Sequence, residues 1–160
     1  MEDIWNITAL VVSVLSVLLS LYALRQATTK NTSDMYLFFI SQYAKEDMKL
    51  ALRKLKDIKR GVYRLEQWES DMKNNLPKAF EYDEARRLVK YFYDTLAYMK
   101  LEKLIEARFV RLIFLKKGAW LYLDTVEAME KFFDSGYDKK PYAVIRDVCE
   151  NLRKEGCCPP

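Results

Sequence analysis

The chain contains no histidine, and that absence removes more chemistry than any other. Without an imidazole there is no Ser-His-Asp or Cys-His nucleophile, no Glu-x-x-His di-iron pair and no His-bearing zinc site. Cysteine is scarce as well: Cys149, Cys157 and Cys158 are an odd number bunched at the C-terminal end. They make no disulfide framework and no four-thiolate metal site, and they fit a reducing compartment better than a secreted one. Glycine is limited to Gly61, Gly118, Gly136 and Gly156, each isolated, so no phosphate-cradling loop is formed. The expectation is a non-enzymatic protein without cofactor or metal.

Charge is absent from one long stretch. The segment Ile4–Leu24 carries no charged residue. At about 1.5 Å per residue it matches a bilayer's hydrocarbon core of about 30 Å. Trp5 and Tyr22 stand near its two ends, where aromatic rings prefer the headgroup layer. The Met-Glu-Asp start and the missing A-x-A pattern argue against a cleaved signal peptide. Arg25 and Lys30 follow the span and no Lys or Arg precedes it. The positive-inside rule then puts the N-terminus outside and the C-terminal part in the cytoplasm. Within the span, Ala9, Ser13, Ser16, Ser20, Ala23 and Ala27 recur in steps of three and four and fall within an arc of about 80° on a helix. A row of small residues lets two helix backbones approach closely. The expected partner on this seam is another membrane protein or a second copy of the chain.

The rest is charged and helix-forming. Once Glu2 and Asp3 are set aside, 27 basic residues face 21 acidic ones, a net +6. That is too modest and too diffuse for a dedicated nucleic-acid binder. Periodicity predicts helices over about 33–43, 45–60, 81–101, 103–116 and 120–133, and from Pro141 to about Lys154, with an irregular stretch around Trp68. Asn74-Asn75-Leu76-Pro77 reads as a break, and Gly61 reads as a helix cap. No stretch alternates with the period of a strand. The fold expected is all-α: one N-terminal transmembrane helix followed by a compact multi-helix bundle. Residues 1–25 are the anchor, 26–32 a short tether, 33–155 a cytoplasmic helical domain and 156–160 a flexible tail with free thiols.

Among the charged residues, Lys45, Lys49, Arg53, Lys56 and Arg60 form a stripe beside the apolar face of the second helix. Anionic headgroups attract such residues by about 1 kcal/mol each, so membrane lipid is the expected partner of this face. Glu102 and Glu106 are spaced like neighbours on one helix, as are Glu127 and Lys131. Both pairs read as solvated faces with ion pairs worth a few tenths of a kcal/mol. Tyr91, Phe92, Tyr93 and Tyr98 read as core packing with hydroxyls at the rim.

The segment Tyr43-Ala44-Lys45-Glu46-Asp47-Met48, then Ala51-Leu52 and Leu55, Tyr91-Phe92-Tyr93 with Leu96, Leu104-Ile105, Gly118-Ala119-Trp120 and Arg146 carry a resemblance. In this order they resemble a prokaryotic family of single-span proteins with a helical cytoplasmic domain, the "domain of unknown function 4760" type. The resemblance covers most of residues 25–154 and implies the architecture but no activity. The functional expectation is a membrane-tethered interaction protein, such as an accessory subunit of a larger membrane complex. The alternative is a membrane-anchored sensor or effector whose helical domain binds anionic lipid or a ligand.

Overall fold

The computed structural model describes residues 15–23, 33–114, 118–133 and 137–156. The described residues are helical, with turns between the helices and no strand. The chain divides into two units, Met1–Leu37 and Phe38–Pro160. In the first, residues 15–23 form helix with every side chain exposed. Among the described residues no helix is long and apolar enough to cross a membrane. Most of the apolar run Ile4–Leu24 and the tether 26–32 lie outside the described residues, as does the tail from Cys157 on.

In the second unit, residues 38–44 of helix α1 (described over 33–44) are followed by α2 (Glu46–Lys59), α3 (Leu65–Lys73), α4 (Pro77–Leu101) and α5 (Ala107–Phe114). Then come α6 (Gly118–Leu121), a π-turn at Tyr122–Val126, α7 (Glu127–Phe133) and α8 (Lys140–Lys154). Helix α4 is the centre: α2, α3, α5, α8 and the π-turn all pack on it. Its buried side chains include Val89, Phe92, Tyr93 and Leu96. Trp68 of α3 is wholly buried, donates from its indole N–H to the Ala79 carbonyl at 3.2 Å, and meets Phe132 and Phe133 edge-on.

Three helix ends follow one rule. After α2, Gly61 N–H donates to the Ile58 carbonyl and Val62 N–H to that of Asp57. This pair of hydrogen bonds to the last turn needs a left-handed residue at its pivot, and Gly61 has φ +73°. Asn75 after α3 and Lys103 after α4 sit at the same pivot, with φ +54° and +57°.

Several expectations are corrected. The stretch around Trp68 is a helix, α3. Pro77 belongs to the first turn of α4, where its missing N–H costs nothing. Residues 102–106 form a turn, so α5 is shorter than expected. Its buried face is Val110, Ile113 and Phe114, while Leu104 and Leu112 are exposed. The π-turn adds a residue to one helical turn and rotates the face that follows. Leu121, Tyr122, Thr125 and Val126 are buried, while Trp120 and Leu123 are only half-buried.

Candidate functional site

Helix α2 divides its surface sharply. Met48, Ala51, Leu55 and Ile58 are buried against the bundle. Lys45, Lys49, Arg53, Lys56 and Arg60 occupy an arc of about 80°, centred about 140° from that buried face. Lys56 is half-buried and the other four are exposed. Two further lysines flank the stripe, and both are paired to the bundle. Lys54 reaches Glu81 at 3.0 Å and Lys59 reaches Asp124 at 2.5 Å. Of the stripe itself, only Lys49 has an ion pair among the described residues, with Glu46 at 3.3 Å. Lys45, Arg53, Lys56 and Arg60 have no ion-pair partner among the described residues.

The small-residue seam is only partly described. Ser16, Ser20 and Ala23 lie on the helical stretch 15–23, whereas Ala9, Ser13 and Ala27 fall outside the described residues. The Ser20 hydroxyl donates to the Ser16 carbonyl at 2.8 Å. This satisfies the hydroxyl within its own helix and leaves a low surface there.

The largest concentration of buried charge was not foreseen. Asp83 of α4 accepts from Arg86 Nε at 2.8 Å and from Arg87 Nε at 2.7 Å. Arg86 also pairs with Glu130 of α7, and its guanidinium stacks 4.7 Å from the Phe133 ring. One turn on, Lys90 binds Asp94 at 2.5 Å and lies 3.9 Å from Glu130. Asp94 also accepts from the Tyr122 hydroxyl. Glu127 accepts from Tyr137 at 2.9 Å and Arg146 at 2.6 Å, with Lys131 at 3.8 Å. Arg146, one of the resemblance residues, therefore ties α8 to α7. The Glu127–Lys131 pair exists, but Glu127 is buried rather than solvated. Glu102 and Glu106 do not share a helix; Glu106, in the turn before α5, pairs with Arg108 of α5 at 2.6 Å. One signal for the cluster lay in the sequence. Asp83, Arg86, Arg87, Lys90 and Asp94 are a row of both signs along the edge of α4's apolar face.

Each of these buried carboxylates is balanced by a nearby cation, so the cluster holds helices in register. No group of three or more Cys, Asp or Glu side chains among the described residues is arranged to hold a metal ion. Burial pushes Tyr122 far above the usual phenol range, reinforced by the Asp94 carboxylate. Tyr142, stacked on Tyr122 at 4.5 Å, is raised by burial and by the same carboxylate. Burial also lifts the Cys149 thiol to about 11, which keeps it a thiol and a poor nucleophile at neutral pH. Tyr93 and Phe92 are core residues, as expected, but Tyr91 is three-quarters exposed. Comparison with protein-family models, curated proteins and solved structures gave no match to this chain.

Proposed function

We propose that this chain is a membrane-tethered, non-enzymatic interaction protein whose helical domain presents α2 to an anionic lipid surface. In this reading Ile4–Leu24 spans the bilayer and the basic domain remains on the cytoplasmic side. The observation that carries it is the pairing pattern on α2. Lys54 and Lys59 are paired with bundle carboxylates, while Lys45, Arg53, Lys56 and Arg60 have no such partner among the described residues. Cations without such a partner next to paired ones fit an external anion, and membrane headgroups supply it. The resemblance to single-span helical proteins supports the architecture alone.

Lysine footprinting of the full chain in liposomes tests the reading. Acylation of Lys45, Lys49 and Lys56 is expected to slow several-fold when phosphatidylglycerol replaces phosphatidylcholine, and to recover in high salt, which screens exposed charges. Lys54 and Lys59 are expected to react alike in both. Equal rates at the stripe lysines in the two lipids would refute the lipid-facing assignment.

A second reading, an accessory subunit held through Ala9, Ser13, Ser16, Ser20, Ala23 and Ala27, is favoured by the internal Ser20–Ser16 bond. A serine satisfied within its own helix lets a neighbouring helix pack closely without a polar penalty.

A further inference from the structure

The basic stripe ends at a groove. Helices α1, α2 and α4 frame a cavity of about 280 Å³ at the point where α1 gives way to α2. Its floor is apolar: Phe39, Met48 and Phe92 are each almost fully buried. Phe92 is held edge-on by Phe39 at 5.5 Å. Its rim is apolar and open, with Phe38 56% and Tyr91 75% exposed and Leu88 between floor and solvent. The volume is roughly twice that of the ~150 Å³ apolar cavity that holds one benzene ring. A volume of that size is suited to a flexible hydrocarbon chain.

Lys45 marks the polar end. Its backbone is extended between the two helices, and its N–H donates to the Gln42 carbonyl at 3.3 Å. Its ammonium has no carboxylate partner among the described residues. Beyond it run Lys49 and Arg53 on the same face of α2. Asp47 lines the groove from the opposite side of α2, next to the depression that holds Glu81 and Glu84. The Thr95 hydroxyl is already spent on the Tyr91 carbonyl at 2.7 Å. The charge around the groove is therefore graded: cationic toward the stripe, acidic on the far side.

An apolar groove with the unpaired ammonium of Lys45 at one end matches an acyl chain bearing a negative head. We infer that this groove takes one acyl chain of an anionic membrane phospholipid, its phosphate lying against Lys45. The inference rests on the lipid-facing reading of α2 and adds a defined binding site to it. Bound lipid would pin the start of the bundle to the membrane through a chain as well as through charge.

The test uses the full chain in phosphatidylcholine nanodiscs and a lysophosphatidic acid with a photoactivatable diazirine at the end of its chain. Adducts are mapped by mass spectrometry. The expected result is labelling at Phe39, Met48 and Phe92. Lys45→Glu should lower it about fivefold or more, the effect of reversing one cation beside an anionic headgroup. Leu88→Trp, at a part-exposed position that tolerates bulk, should block the groove and abolish the labelling. Adducts confined to other surfaces would overturn the inference. So would equal groove labelling by an uncharged monoacylglycerol bearing the same chain. If the chain failed to enter nanodiscs, the tether would be refuted separately. The same labelling in solution, with the probe below its micelle concentration, would then decide the groove on its own: adducts there sustain it and their absence overturns it.

Discussion

Gly118 shows how much one position constrains this bundle. A Cβ there would lie 2.5 Å from the Tyr93 hydroxyl and 3.1 Å from the Tyr43 ring. Its N–H donates to the Tyr43 hydroxyl at 3.2 Å. The residue is fixed by close approach and not by a left-handed backbone. Gly118→Ala is expected to destabilise the domain by about 1–3 kcal/mol, the usual cost of overpacking. Adding Tyr93→Phe, which removes the obstructing oxygen, should restore part of that loss. Urea unfolding of the two variants measures both effects, and an unchanged midpoint for Gly118→Ala would contradict the packing described. From the sequence, Gly118 was legible only as an interruption. Its real constraint comes from residues 25 and 75 positions away, and no local pattern reports such a neighbour. Gly61, by contrast, was readable as a helix cap because its role depends on the helix it ends.

At the scale of elements, the helices with a clean apolar period were legible and the others were not. Helix α2 shows its four buried residues at steps of three and four. Helix α3 hides its single buried residue, Trp68, in a polar surround, so the periodic signal was too weak to show a helix. The π-turn escaped because a local change of helical pitch leaves no residue signature. The charged cluster between α4 and α7 escaped for another reason: charged residues are assigned to solvent by default, and only a cross-helix partner makes their burial tolerable. That cluster yields a prediction. Arg86→Leu leaves Glu130 buried with only Lys90 3.9 Å away, and should cost about 3 kcal/mol, near the lower end for a broken buried pair. The double change Arg86→Leu, Glu130→Leu should recover most of it, since Asp83 keeps Arg87. Denaturant unfolding of the cycle decides the matter: additive losses would mean that the two side chains do not act as a pair.

At the scale of the whole molecule, the dominant feature is segregation of charge. Every Lys and Arg lies after residue 24, and 21 consecutive residues before that point carry no charge. The all-helical bundle was legible from pattern alone. The buried network that fixes its helices was not. A charged bundle that follows an uncharged run, and whose α2 carries four cations without an ion-pair partner among the described residues, is what the proposed bilayer-surface reading rests on. Membrane attachment through Ile4–Leu24 is the claim on which the functional account depends. Alkaline carbonate extraction of membranes containing the full chain tests it most directly. The account predicts that the chain stays in the membrane pellet. It also predicts release on Val14→Arg with Leu18→Arg, because each arginine at mid-span costs about 2.5–3.5 kcal/mol. Recovery of the unaltered chain in the supernatant would contradict it.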